Sequence, residues 1–225
     1  MVSVSSTTVT VTIPALPPGQ YDVSVFTGTA TSNFLPFFYI AIPQVTALSS
    51  NRGSSTPIRI SLFGSSLATT QSVEFVGVGP GTDVRVISDT IVTVLTPQNG
   101  QHPDGCTFPS EVRVTSLGGV SPVQGGPTQY VFYEEPAVTA VVPNAAVVGS
   151  LITVTGTCLL DAVSVVFELE NDGIQVPADF TQISATVLTT TVPPTLAPGT
   201  YDIKVTTPGG QSDPAPLAVF TVPPL

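Results

Sequence analysis

The chain repeats itself, and that repeat constrains its fold more than any other feature. Pro43-Gln-Val-Thr-Ala-Leu returns as Pro136-Ala-Val-Thr-Ala-Val, and Ile58-Arg-Ile-Ser-Leu-Phe-Gly64 returns as Leu151-Ile-Thr-Val-Thr-Gly156. Val73-Glu-Phe75 returns as Val165-Val-Phe167. The second half of the pattern occurs three times, as Thr/Val-rich runs that begin at Ser5, Ser88 and Ser184 and end at Pro14, Pro97 and Pro193. Pro18-Gly-Gln-Tyr-Asp-Val-Ser-Val25 matches Pro198-Gly-Thr-Tyr-Asp-Ile-Lys-Val205. Each copy closes on an aromatic strand ahead of a proline: Phe38-Tyr39 before Pro43, Phe132-Tyr133 before Pro136, and Phe220 before Pro223. Self-similarity at this spacing means stacked modules rather than one large core. Residues 1–41 read as the second half of one unit, and residues 42–134 and 135–225 as two complete units.

Each complete unit holds some seven short runs of alternating hydrophobicity separated by Gly, Pro and Ser turns, the pattern of an immunoglobulin-like sandwich. Tyr21-Asp-Val-Ser-Val25, Glu111-Val-Arg-Val114 and Ile152-Thr-Val-Thr155 alternate cleanly, so one face of each packs on a facing sheet and the other stays wet. Composition agrees: Lys204 is the only lysine, Met1 the only methionine, and Val, Thr and Ser take the places that helix formers would fill. The expected fold is all-β, tandem immunoglobulin-like sandwiches arranged as a rod.

The units resemble the IPT/TIG family of immunoglobulin-like modules, found in surface receptors, in some transcription factors and as accessory domains of polysaccharide-active enzymes. The resemblance rests on the openings Pro43-x-Val and Pro136-x-Val, the strands ending at Gly64 and Gly156, the Val-x-Phe strands, and Pro-Gly-x-Tyr-Asp at Pro18 and Pro198. The pairs Gly118-Gly119 and Gly209-Gly210 suit a hairpin between the last two strands. Tyr21 and Tyr201 fall at the tyrosine-corner position, whose hydroxyl bonds back to nearby backbone, so they read as structural rather than ligand-stacking. In the middle unit Glu111 stands near where that tyrosine would fall, and Phe108 is the candidate to fill the space.

Cys106 precedes the sixth strand of the middle unit, and Cys158 follows the second strand of the last unit. In a sandwich of this topology both ends point at the same inter-unit junction. A Cys106–Cys158 disulfide would stiffen that junction, the short Tyr133-Glu-Glu-Pro136 connection pointing the same way. Two unrelated thiols, one of them a small buried residue, are the alternative.

The formal charge is −10, and the five basic residues, Arg52, Arg59, Arg85, Arg113 and Lys204, are scattered singly, which excludes a phosphate-tracking stripe and hence nucleic acid. No run approaches 18 apolar residues, so no membrane insertion is expected. The first residues carry no basic-plus-apolar leader. A Thr/Ser/Pro surface poor in lysine nonetheless reads as extracellular or cell surface, which an excerpt from a longer polypeptide, or a start further upstream, would reconcile. No Asn-x-Ser/Thr occurs, whereas 32 Thr and 21 Ser leave covalent O-glycans open.

Catalytic chemistry finds no support. His102, the only histidine, sits in a polar His-Pro-Asp-Gly turn, and with Cys106 supplies two of the four ligands zinc wants. Glu134, Glu135 and Asp161 read as a solvated acidic junction rather than a calcium site. Glu168, Glu170 and Asp172 alternate along one exposed strand face leading into a hairpin at Asn171-Asp-Gly173, not across a cleft. No catalytic residue, cofactor or metal is expected, and the chain is read as no enzyme.

The half unit carries the functional reading. Alone, residues 1–41 would expose Val9, Val11, Ile13, Val23 and Val25 together with unpaired strand edges. Completion by upstream strands or by a neighbouring subunit follows, and a head-to-tail contact of that kind builds a filament. The preferred reading is a structural subunit of an extracellular fibre, appendage or coat that self-associates head to tail. The other is a receptor or adhesin stalk, or a carbohydrate-contacting accessory module, for which Phe34, Phe37 and Phe38 near Pro36 are the candidate aromatic cluster.

Overall fold

The computed structural model describes residues 2–98, 105–170, 172–216 and 218–224. They form an all-β chain in which the single helical feature is a 3-10 turn at Gly126–Thr128. Among the described residues no helix is long and apolar enough to cross a membrane. His102 and Asn171 lie outside the described residues.

The first four strands are β1 (Val2–Val4), β2 (Val9–Val11), β3 (Gly19–Val23) and β4 (Leu35–Tyr39). They make two antiparallel pairs, β1 with β2 and β3 with β4, and nothing else pairs with them among the described residues.

The next segment builds a two-sheet sandwich. One sheet runs β10 (Thr82–Ser88), β11 (Ile91–Leu95), β7 (Arg59–Ser65), β5 (Gln44–Leu48). The other runs β6 (Arg52–Ser54), β14 (Gln129–Tyr133), β12 (Thr107–Ser116), β8 (Thr70–Phe75), β9 (Gly79–Pro80), with the short β13 (Gly119–Val120) also on β12. The first strand of the segment changes sheets on the way: β5 pairs with β7, and after the Ser49–Asn51 turn β6 pairs in parallel with β14. Period-2 alternation puts Ile60 and Leu62, Val92 and Val94, Val73 and Phe75, and Val112 and Val114 inside, each at most 1% exposed. Phe75, Tyr130 and Phe132 meet edge-on at 4.7–5.8 Å in the centre of this core.

The last segment repeats the plan. One sheet runs β15 (Ala137–Val142), β16 (Leu151–Thr157), β20 (Val187–Thr191), β19 (Phe180–Gln182). The other runs β18 (Gln175–Ala178), β17 (Ser164–Leu169), β21 (Gly199–Thr207), β22 (Gly210–Gln211), with β23 (Val219–Val222) on the near half of β21. A parallel bridge from Ala145 to Thr221 stands where β6 meets β14 in the preceding unit. Ile152, Val154, Leu188, Ile203, Val205, Phe167 and Phe220 fill the core.

A serine latch recurs in all three segments, and sequence reading missed it. The backbone N–H of Val25, Val114 and Val205 donates to the hydroxyl of Ser32, Ser121 and Ser212 at 2.9–3.0 Å. Each serine N–H returns a bond to the same valine's carbonyl. The signal was a serine seven residues after the valine in every copy. It closes the hairpin that the Gly-Gly pairs begin.

Candidate functional site

The half segment presents a groove where the complete segments have a core. Val9, Val11, Ile13, Leu16, Tyr21, Val23, Phe37 and Tyr39 line an open space of about 660 Å³ between the β1–β2 and β3–β4 pairs. The repeat gives the inward residues of the second and third strands counterparts in the last segment: Val9, Val11 and Ile13 correspond to Leu188, Thr190 and Val192, and Tyr21, Val23 and Val25 to Tyr201, Ile203 and Val205. Thr190 and Ile203 are each 1% exposed and Val192 is 0%, whereas Val11 is 52% exposed, Val23 48% and Ile13 50%. Val9 and Val25 are also exposed, at 40% and 42%. The strands that bury the counterparts are β16 and β17; among the described residues nothing equivalent pairs with β2 or β3.

The groove walls have the geometry of a finished unit nonetheless. Tyr21 donates from its hydroxyl to the Pro17 carbonyl at 3.0 Å, as Tyr201 does to Ala197 at 2.9 Å, four residues back in both cases. Tyr39 adds a second tie, its hydroxyl donating to the Pro14 carbonyl at 2.5 Å. With the Ser32 latch, these bonds fix β3, β4 and the loop before them.

In the middle segment the corner is absent, and the sequence expectation needs correcting. Ser110, not Glu111, occupies the tyrosine position, because Val112 and Val114 share its inward face. Glu111 points to the other side, accepting from the Thr128 hydroxyl at 2.6 Å. Phe108, two positions before Ser110 and opposite Phe132 on the neighbouring strand, is partly buried and packs against this core. The ring opposite Ser110 is Tyr130, fully buried, on the neighbouring strand. Burial pushes its hydroxyl pKa up to about 12.

The loop end that a tyrosine would pin is instead held covalently. Cys106, four residues before Ser110, is bonded to Cys158 with Cα atoms 4.9 Å apart. Around the bridge, the Tyr133 hydroxyl donates to Asp161 Oδ2 at 2.5 Å and Arg52 Nη1 lies 3.9 Å from the same oxygen. Burial, and then the bond to Asp161, raise the Tyr133 pKa. Asp161 thus spends its carboxylate on a tyrosine and an arginine. Glu134 donates its backbone N–H to the Cys106 carbonyl. A Cβ added to Gly209 would collide with the Glu134 carbonyl, and one on Gly118 with the Ala41 carbonyl. Both glycines let the turn beginning the last hairpin lie directly on the connection that precedes its own unit.

The remaining acidic candidates separate. Glu168 is not on an open face: Lys204 Nζ donates to it at 2.6 Å and Gln175 Nε2 at 2.5 Å, with side chains of the ion pair only 17% and 12% exposed. The lysine bond, followed by the glutamine bond, holds its carboxyl below the ordinary value of 4.5. Glu170 and Asp172 are exposed, and Gly173 completes the hairpin between β17 and β18. Asp83, bridged by Arg85 and Arg59, was not anticipated; both arginines lower its pKa. Among the described residues no three His, Cys, Asp or Glu side chains converge as a metal site.

Residues 136–221 match the family model described as the IPT/TIG domain. No curated protein matches the chain. Solved structures similar to it include SGBP-B from a complex xyloglucan utilization locus in Bacteroides uniformis, at 20% identity, 76% of this chain, 48% of that chain and a TM-score of 0.32. The full extracellular region of plexin A4 matches at 16% identity over 80% of this chain and 15% of that one, with a TM-score of 0.44. The FN1–FN3 domains of chicken CNTN1 match at 13% identity over 91% and 78%, with a TM-score of 0.34. The chain spans about half the length of the Bacteroides protein it matches.

Proposed function

We propose that this chain is a structural element of an extracellular fibre, appendage or coat, built from IPT/TIG-like units stacked as a rod, in which an adjacent chain or segment completes the half unit. The observation that carries the reading is the open groove: its walls keep the tyrosine and serine ties of a finished unit, yet its inner face is about half exposed where the counterparts are sealed. An exposed apolar face beside free strand edges is a site for strand addition. The Cys106–Cys158 bridge supports an oxidising, extracellular setting. It also supports a load-bearing role, since it spans a junction already held by Tyr133, Asp161 and Arg52. The exposed threonines and serines suit O-linked sugar, which intact-mass measurement before and after chemical deglycosylation would reveal.

Electron microscopy of natively purified material tests the reading. The expected result is filaments whose axial repeat corresponds to two or three sandwich units. Dispersed monomers at the concentration at which the material is recovered would refute it.

A second reading, a glycan-contacting stalk or accessory module, is favoured by one observation. Phe26, Phe34 and Phe38 are 70%, 64% and 59% exposed, and aromatic faces are what sugar rings stack on. Binding on a glycan array that Phe38→Ala and Phe34→Ala together abolish would favour it over the fibre.

A further inference from the structure

The groove is specific about what it accepts, because the same chain holds two finished versions of it. This inference deepens the completion just proposed, resting on it, and names the chemistry of the completing segment. In the finished units the counterparts of β2 are β11 and β20. Against β11 lies β7, with Ile60 opposite Val94 and Leu62 opposite Val92. Against β20 lies β16, with Ile152 opposite Thr190 and Val154 opposite Leu188. Both partner strands then reach a glycine, Gly64 or Gly156, where a Cβ would strike the carbonyl of Gln44 or Ala137 on the preceding strand. The counterparts of β3 are β12 and β21. Their partners β8 and β17 set Val73 and Val165 opposite Val114 and Val205, and Phe75 and Phe167 opposite Val112 and Ile203. In both units the valine follows the glycine by nine positions.

The aromatic of that second strand has a defined seat. Phe167 meets Tyr201 edge-on at 6.4 Å and Phe220 at 5.6 Å. Tyr21 and Phe37 stand in the corresponding places across β3 and β4. They touch Tyr39 at 5.3 and 5.2 Å, and among the described residues no ring enters from the open side.

We propose that the groove binds a polypeptide segment from outside residues 1–225 with the pattern apolar-x-apolar-x-Gly, eight residues, then Val-x-Phe. Its first strand lies antiparallel to β2, with its apolar residues opposite Val11 and Val9. Its second lies antiparallel to β3, with valine opposite Val25 and phenylalanine opposite Val23 and against Tyr21 and Phe37. The two segments of this chain that carry the pattern are already built into their own sandwiches. The half unit of a second copy offers only the strands the groove already has, so a second copy is not the occupant.

The test uses the full chain and a labelled peptide of residues 150–170 carrying Cys158→Ser. The expected result is saturable binding by fluorescence anisotropy, with amide exchange across residues 9–11 and 21–25 slowed at least tenfold. Peptide carrying Ile152→Asp and Phe167→Asp should bind at least tenfold more weakly. Val11→Asp with Val23→Asp in the chain should abolish binding while the urea transition of the complete units stays in place. If the free peptide shows no effect, the same segment is fused ahead of residue 1 through a flexible linker, which raises its effective concentration to about the millimolar range. Absence of protection in the fusion overturns the proposal, as does equal protection by the aspartate peptide. Concentration-dependent dimerisation of the chain alone that protects the same amides also overturns it, by making a second copy the occupant. Filaments without peptide protection would leave the fibre reading standing and this inference refuted; protection without filaments would do the reverse.

Discussion

Replacing Cys106 and Cys158 together by serine removes a cross-link between residues 52 apart in sequence, and the loop it closes draws strands from two cores. β12 and β14 lie before the junction, β15 and β16 after it. The chain-entropy relation for a loop of that length gives about 4 kcal/mol of stability lost from the unfolded-state constraint. The neighbouring Tyr133–Asp161 bond and the Arg52 contact remain in the variant, so the junction keeps a polar hold worth about 1–2 kcal/mol. That hold is too weak to keep two units unfolding as one. Equilibrium urea unfolding followed by tyrosine fluorescence and far-ultraviolet circular dichroism reads the outcome. The oxidised parent should give coincident transitions, and the double variant should give two, with a summed stability lower by about 4 kcal/mol. A single transition within about 1 kcal/mol of the parent would show that the bridge is a bystander and that the junction is held by its noncovalent contacts alone.

Four further outcomes follow from the geometry. Tyr201→Phe removes a buried hydrogen bond to the Ala197 carbonyl and should cost about 1 kcal/mol by urea midpoint, whereas Tyr21→Phe, on the open half unit, should change the amide exchange of residues 19–21 without moving that midpoint. Gly209→Ala forces a Cβ onto the Glu134 carbonyl and should cost about 1–3 kcal/mol through a displaced connection, read by thermal unfolding. Ile203→Asp buries an unpaired charge and should cost upwards of about 3 kcal/mol, while Val23→Asp at the equivalent groove position should cost under about 1 kcal/mol in the isolated chain. Glu168 has a folded pKa below its ordinary 4.5, so its pairing contributes stability above that value and loses it as pH falls through the lower, folded one; Glu168→Gln should flatten the acid side of the stability profile.

What the sequence made legible was whatever repeats or alternates. The spacing of Pro-x-Val, apolar-x-apolar-x-Gly and Val-x-Phe placed the strands because period-2 alternation fixes which side chains face the core, and a one-residue slip would expose all of them. Tyr21 and Tyr201 could be assigned to a tyrosine corner because that bond is local, four residues long. The middle unit was misread by one position: the Val112 and Val114 alternation, extended backwards, reaches Ser110 rather than Glu111. Contacts that depend on register between distant strands left no signal. Glu168 meets Lys204 only because β17 sets Val166 beside Lys204. Arg52, Tyr133 and Asp161 converge from two units with no local pattern to announce it. The two cysteines were different, since topology alone sends both strand ends to one pole.

The most direct measurement of the account is a reconstruction of the natively assembled protein at a resolution that separates strands, viewed across residues 2–39. The account predicts two added strands, one antiparallel to β2 and one antiparallel to β3, with an aromatic ring seated between Tyr21 and Phe37. A groove open to solvent in the assembled material, or covered by an intact sandwich of a neighbouring copy, would contradict it.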